Sequence, residues 1–256
     1  MTRLQEFCAN LWIYELETPS FVVRAAVVLG EERAVVWDTL SLPEEAAPLV
    51  DVLDGKPYYV VYSHGDYDHA WGTAGLGEKR LAVVAHAECL RRFGDDVPRA
   101  LQRMQMAEPS QWDNVRLIPP NITFASCLSL DLGGLTLELH HCPGHTADSL
   151  VGWIPERGLL LGGDAIETPL PVVNDAQLLP GWLDALTAWQ ANDRLDYAIP
   201  SHGSATGRES LDQTVAYLRA LAGDRQFMLP RKLEGFYRET HQKNLLAVDS
   251  GRALHE

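Results

Sequence analysis

The residues His64-Gly65-Asp66-Tyr67-Asp68-His69 come directly after Ser63 and the apolar run from Tyr58 to Tyr62. They place four potential metal ligands within six residues, at the mouth of a predicted strand. The strand end gives these ligands a fixed backbone, and Gly65 lets a tight loop turn them toward one point. Because imidazole and carboxylate groups together suit a divalent transition metal, the segment predicts a metal site.

Three further candidate ligands follow strand-like runs later in the chain: His145, Asp164 and His202. The runs that precede them are Leu135–Leu139, Leu159–Leu161 and Tyr197–Ile199. Polar residues after strands are common, because loops are polar. Seven groups with metal-binding chemistry at successive strand ends nevertheless predict that the fold gathers them at one edge of the sheet.

Composition excludes several classes of protein. The chain has 256 residues, of which 46% are hydrophobic and 22% charged, as is ordinary for a soluble globular enzyme. The 21 basic and 35 acidic residues give a formal charge of −14, which argues against nucleic-acid and membrane partners. The four cysteines form no CxxC pair, and no segment resembles a signal peptide or a membrane span. We therefore expect a cytoplasmic protein that acts on a small molecule.

Two blocks of strands, each followed by helices, predict two sheets between helical layers. The expected helices include one from Pro43 to near Gly55 and a helical stretch from His86 to Glu108, broken at Gly94 and Pro98. We expect a single domain over residues 1–256. It would carry a helical insertion at about 86–121 and a C-terminal helical tail at about 226–256.

The motifs, taken in order, resemble those of the metallo-β-lactamase superfamily over roughly residues 10–222. That family has a His-x-His-x-Asp-His motif, then a lone His, an Asp and a final His. The corresponding segments here are His64 to His69, Cys-Pro-Gly-His145-Thr, Leu-Gly-Gly-Asp164 and Pro-Ser-His202-Gly. The resemblance implies an α+β fold, namely a four-layer αββα sandwich of two mixed β-sheets flanked by helices.

The resemblance also implies a binuclear centre with two divalent metal ions, zinc being the expected ion. The implied ligands are His64, Asp66 and His145 at the first position, Asp68, His69 and His202 at the second, and Asp164 bridging both. A metal-bound hydroxide would be the nucleophile, and Asp68 would serve catalysis as well as binding. Asp38, which ends the strand Ala34–Trp37, would support the metal loop from beneath.

Asp66 departs from the family pattern, because it stands where the family has histidine. The third carboxylate lowers the formal charge of a hydroxide-bridged site from about +1 to about 0. Its harder oxygen makes iron or manganese possible at the first position, and Asp66→His is expected to strengthen zinc binding there. The alternative is that Asp66 is a loop carboxylate that does not bind metal, and that one metal is weak or absent.

Three functions fit these residues. The first is a metal-dependent hydrolase acting on an ester, thioester, lactone or phosphodiester bond. The second is a mononuclear iron oxygenase or persulfide dioxygenase using His64, His145 and Asp164. The third is a degenerate domain that keeps the fold and binds a partner. Metal content separates them, since they would hold two metals, one iron and none.

Overall fold

The N-terminal strands pair into one mixed sheet in the order in which they occur along the chain. In this computed structural model, which describes residues 2–77, 79–203, 207–223 and 233–253, they are β1 (Thr2–Cys8), β2 (Leu11–Glu17), β3 (Val22–Leu29), β4 (Ala34–Trp37), β5 (Tyr58–Val61), β6 (Arg80–His86) and β7 (Ile122–Phe124). Pairing is antiparallel from β1 to β4 and parallel from β4 to β7.

The later strands build a second mixed sheet in the order β12-β11-β10-β9-β8. They are β8 (Cys127–Asp131), β9 (Thr136–His141), β10 (Leu150–Ile154), β11 (Leu159–Glu167) and β12 (Tyr197–His202). Only β11 and β12 are parallel to each other within this sheet. The two sheets meet where His202 of β12 pairs with Val23 of β3.

Side chains alternate between two cores, as the two-residue period of a strand requires. In β4, Val35 and Trp37 belong to the core between the sheets, whereas Ala34 and Val36 face the outer helices. The core between the sheets also takes in Leu137 of β9, so both sheets bury one face against each other. The other face of each sheet is covered by helices, which confirms the expected αββα sandwich.

The helices divide between the two outer layers. Those of the first layer are α1 (Pro43–Ala46), α2 (Leu49–Val52), α3 (Tyr67–Ala70), α4 (Ala87–Phe93), α5 (Asp96–Ala107) and α6 (Pro109–Trp112). Those of the second layer are α7 (Leu179–Gln190), α8 (Arg208–Ala222) and α9 (Gly235–Ala253). Residues 226–232 and 254–256 of the expected tail lie outside the described residues. None of the helices in the described ranges combines the length and the apolar character needed to cross a membrane.

Three local expectations were wrong. The helix expected after Pro43 is two separate turns, α1 and α2. Pro98 does not break a helix, because it lies in the first turn of α5, where its missing N–H has no intrahelical partner to lose. Asp164 does not follow the strand that begins at Leu159 but lies inside it: Gly163, with φ of 51°, lets the strand shift register and continue to Glu167.

The core between the sheets predicts a specific stability difference. Leu137 is fully buried there (0% exposed), whereas Leu246 on α9 is 66% exposed. Leu137→Ala should lower the free energy of unfolding by about 2–5 kcal/mol, since it removes buried methyl groups and leaves a cavity. Leu246→Ala should change it by less than about 0.5 kcal/mol. Urea unfolding of the two variants checks this; equal losses would contradict the layered core.

Candidate metal centre

All seven predicted ligands converge at one end of the sandwich, where the two sheets meet. They are His64 and Asp66 in the loop after β5, Asp68 and His69 on α3, His145 in the loop after β9, Asp164 within β11 and His202 at the end of β12. Five of the seven side chains are at most 7% exposed to solvent, and Asp66 is the most exposed at 28%. The structure therefore brings together groups that lie up to 138 residues apart in the chain.

Two groups of three form within this cluster, and the first consists of His64, Asp66 and His145. Asp66 Oδ2 lies 3.5 Å from His64 Nε2 and 3.4 Å from His145 Nε2. The ligand atoms of each such group lie within 4.8 Å of one another. One ion could therefore contact all three side chains of the group.

The second group consists of Asp68, His69 and His202. Asp68 Oδ1 lies 3.6 Å from His69 Nε2, and Asp68 Oδ2 lies 3.5 Å from His202 Nε2. The Nε2 atoms of the two histidines are 3.3 Å apart. This arrangement offers a second ion three ligands from two different parts of the chain.

Asp164 lies between the two groups and faces each with a different oxygen. Its Oδ2 is 3.8 Å from His64 Nε2 and 3.6 Å from His145 Nε2. Its Oδ1 is 3.3 Å from both His69 Nε2 and His202 Nε2. A carboxylate with this placement can bridge two ions.

The donor set fits a metal on two independent observations. Ligands at about 2.0–2.2 Å from a tetrahedral ion lie about 3.3–3.6 Å from each other, which is the range of most of these separations. His64 Nε2 and Asp164 Oδ1 are also buried without a geometrically satisfactory hydrogen-bond partner. Buried polar atoms are rarely left in that state, and a cation bound between them would supply the missing partner.

Oxygen acceptors behind the histidines fix which ring nitrogen faces the centre. His69 donates from Nδ1 to Asp38 Oδ2 over 2.9 Å, and His202 donates from Nδ1 to the carbonyl oxygen of Val22 over 2.8 Å. Asp38 is held in turn, because it accepts from the backbone N–H of Ser63 (2.7 Å) and from its hydroxyl (2.8 Å). These contacts leave Nε2 of each ring free to bind an ion.

Sequence reasoning missed two residues of the site, Arg92 and Asp148. Arg92 donates from Nη2 to Asp66 Oδ1 over 2.6 Å and from Nη1 to Asp148 Oδ1 over 2.8 Å. Asp148 Oδ2 accepts from the backbone N–H of Gly65 over 2.8 Å. Neither belongs to a motif, and the signal that could have found Arg92 is the extra carboxylate itself, which calls for a nearby cation.

The carboxylates raise the affinity of the imidazoles for protons when no metal competes. Burial by itself lowers the pKa of His145 and His202, but neighbouring carboxylates, Asp164 foremost for His202 and Asp66 for His145, raise both to about 9. The same attraction holds the pKa of Asp164 well below its usual range, against the effect of its burial. At neutral pH a metal must therefore displace protons from the site.

A cavity of about 220 Å³ opens directly on the ligands. Its remaining walls include Phe21 before β3 and Phe236 of α9, whose ring centroids lie 5.4 Å apart. Glu167 also lines the cavity, and burial raises its pKa to about 7. The cavity suits a small molecule with an apolar part.

Comparison with known proteins agrees with this geometry. The sequence profile of the metallo-beta-lactamase superfamily matches residues 16–212. The metallo-beta-lactamase type 2 of Bacteroides fragilis is 30% identical over 155 residues, which are 56% of this chain and 61% of that protein. A hydroxyacylglutathione hydrolase of Anaeromyxobacter dehalogenans is 29% identical over 126 residues, 48% of this chain and 38% of that protein. The chain thus matches between about two fifths and three fifths of the length of these relatives.

The fold comparison reaches further along the chain. A solved metallo-beta-lactamase from Pontibacter korlensis superposes with a TM-score of 0.65 at 21% identity, covering 86% of this chain and 99% of that one. At this identity the likeness shows the fold, and the metal site rests on the side chains described above.

The raised histidine pKa values predict how the metal-free protein responds to pH. Imidazoles with a pKa of 6.5 when unfolded and about 9 when folded add stability that is fully present below pH 6.5. That stability should be lost as the pH rises through 9, so the melting temperature of the metal-free protein should fall between these values. The zinc-loaded protein is the control, because the metal keeps its histidines neutral. A melting temperature that does not fall without metal would contradict the charge balance.

The contacts of Asp38 predict that its substitution weakens metal binding at the second position only. In Asp38→Asn, an NH2 group replaces one carboxylate oxygen, and where it replaces Oδ2 it cannot accept from His69 Nδ1 or from the Ser63 hydroxyl. Metal affinity at the second position should fall by about 10–100-fold, the range found when such supporting groups are removed. Chelator competition measures this, with Asp131→Asn in the exposed β8–β9 turn as the control. Unchanged affinity would show that Asp38 does not orient the ligand.

Proposed function

The chain belongs to the metallo-beta-lactamase superfamily, and we propose that it is a metallohydrolase acting on an ester, thioester, lactone or phosphodiester bond of a small molecule. The observation that carries this proposal is the pair of ligand groups that share Asp164, each oxygen facing one group. Two relatives that it resembles, a beta-lactamase and a hydroxyacylglutathione hydrolase, are hydrolases by name. Family membership thus supports metal-dependent hydrolysis in general, and the bond type is the proposal.

The proposed ligands follow the two groups. His64, Asp66 and His145 would hold the first ion, Asp68, His69 and His202 the second, and Asp164 both. We propose zinc at both positions, with iron or manganese as the alternative at the first because Asp66 is a harder ligand than histidine. When bound, the metal pair would supply Lewis acidity and lower the pKa of a coordinated water toward neutrality.

Asp68 is the proposed catalytic carboxylate of the chain. It is buried at 7% exposure, yet it lines the cavity beside Asp164 and His202. Both of its oxygens face ligand histidines, at 3.6 and 3.5 Å, so a water held at the metal end of the cavity would lie beside this carboxylate. In that position Asp68 can orient the attacking water and accept its proton.

The cavity limits the proposed substrate. Phe21 and Phe236 give it one aromatic wall, and Asn174 lies at its rim, where its amide donates to the His145 carbonyl oxygen over 3.0 Å. A volume near 220 Å³ suits the reacting part of a small molecule. All four cysteines are free thiols, which supports the expected cytoplasmic location.

Hydrolysis without oxygen tests the proposal. The purified protein, loaded with zinc or manganese and kept anaerobic, should cleave at least one member of a panel of chromogenic esters, thioesters, lactones and bis-phosphodiesters. A chelator should abolish the cleavage and added metal should restore it. Oxygen uptake with iron and a persulfide donor, together with no hydrolysis across the panel, would overturn the proposal in favour of the dioxygenase.

Asp164→Ala gives the matched loss of function. It removes the one carboxylate placed to contact both ions, so both metals should be lost, or activity should fall by more than the 10–100-fold typical of supporting groups. His141→Ala is the control, because His141 stacks on His86 at a centroid distance of 3.6 Å and belongs to neither ligand group. Full metal content and normal turnover in Asp164→Ala would contradict the proposal that Asp164 binds both ions.

A further inference from the structure

The carboxylate that departs from the family pattern divides its two oxygens between two partners. Asp66 Oδ2 faces Nε2 of His64 and of His145, at 3.5 and 3.4 Å. Asp66 Oδ1 instead accepts from Arg92 Nη2 over 2.6 Å. Because one oxygen is held by the guanidinium, the other is the atom left to point at the first metal position.

The guanidinium is itself fixed from a second side. Arg92 is only 16% exposed, and its Nη1 donates to Asp148, which is completely buried (0% exposed). Asp148 returns to the metal loop by accepting from the N–H of Gly65 over 2.8 Å. Asp96, one turn further along the chain, also accepts from Arg92 over 3.1 Å. Arg92 is therefore one of the residues that hold the metal loop in place, and its ion pair with Asp66 is part of a partly buried network.

We propose that Arg92 is the positioning residue that adapts the first metal position to a carboxylate at residue 66. This inference rests on the proposed metal centre and deepens it. A neutral histidine brings no charge to the position, whereas Asp66 brings a negative one. Arg92, which stays protonated at any ordinary pH, pairs with that charge as well as with Asp148 and Asp96, and its hydrogen bond to Asp66 orients the carboxylate. The site can thus take an oxygen ligand in place of a nitrogen without leaving the added carboxylate unpaired.

The inference changes the expectation for Asp66→His. With Arg92 in place, the new imidazole would bind zinc beside a guanidinium that keeps Asp148 and Asp96 but has lost Asp66 as a partner, and the resulting repulsion opposes the gain from the nitrogen ligand. Removing Arg92 relieves that repulsion in the Asp66→His background. In the presence of Asp66, the same removal also releases the carboxylate from its orientation. The effects of substituting residues 66 and 92 on zinc affinity should therefore not add: removing Arg92 should be more favourable in the Asp66→His background than in the presence of Asp66.

A double-mutant cycle tests the coupling. The wild-type chain, Asp66→His, Arg92→Met and the double variant are compared by chelator competition for zinc and by the visible absorption of bound cobalt(II). Asp66→His alone should bind zinc at the first position no more tightly than wild type. Adding Arg92→Met should improve binding at least tenfold more in the Asp66→His background than in the wild-type background, and the cobalt spectrum should change only where residue 66 or 92 is altered.

Two controls separate this from a purely structural role. Arg91→Met removes the neighbouring, exposed arginine, which pairs with Glu88, and should leave both metal positions unchanged. Because Arg92→Met leaves Asp148 buried without its partner, Arg92→Gln replaces it if the variant does not fold, since the amide can still donate to Asp148. An additive cycle would overturn the inference, as would tighter zinc binding by Asp66→His alone.

The outcomes also distinguish this inference from the proposed function. A wild-type protein that binds no divalent metal defeats both. Two bound metals with an additive cycle defeat only the role of Arg92. Strong coupling in a protein that hydrolyses nothing on the panel leaves Arg92 in its role and defeats the proposed reaction.

Discussion

Ionisable groups are concentrated at one end of the sandwich, and the surrounding fold has to compensate their charges. Four imidazoles and three carboxylates lie within hydrogen-bonding or near-hydrogen-bonding distance of each other, most of them out of contact with water. Burying charges in this way is unfavourable unless opposite charges or a metal compensate them. The two ligand groups around Asp164 can satisfy that requirement in two ways. Without metal, protons on the histidines balance the carboxylates. With metal, the bound cations would take the place of those protons.

The fold meets this constraint by using the junction of its two sheets. His202 is a ligand candidate and is also the β12 residue that pairs with Val23 of β3, and its ring is oriented by the carbonyl oxygen of Val22. Asp38 follows β4 and holds both Ser63, after β5, and His69. The strand contact that joins the sheets thus lies beside the carbonyl oxygen that orients His202, and the ligands come from both sheets, so the site can form only when both sheets are in place.

Much of this could be predicted from the sequence, because the ligands stand in short motifs at the ends of apolar runs. The seven residues, their grouping and the support by Asp38 all follow from local pattern and family resemblance. The place of Asp164 inside β11 did not, since it depends on the register shift that Gly163 permits. Arg92 also escaped prediction, because a helix surface offers many arginines and only tertiary packing shows which one reaches Asp66.

The geometry bears on whether the site acts with one metal ion or with two. A mononuclear iron centre would use His64, His145 and Asp164. The second group of ligands would then bind no metal. That second group is the more deeply supported of the two, since His69 and Asp38 behind it are both completely buried (0% exposed). A buried carboxylate behind an imidazole is the arrangement that orients a metal-binding histidine, which supports the proposal of two ions. Arg92 acts only on the first position, where it offsets the charge of Asp66 but leaves its oxygen as ligand. In the proposed centre, the number of metals and the identity of the first metal would therefore be set by different residues, so a harder ion at the first position would not by itself indicate mononuclear chemistry.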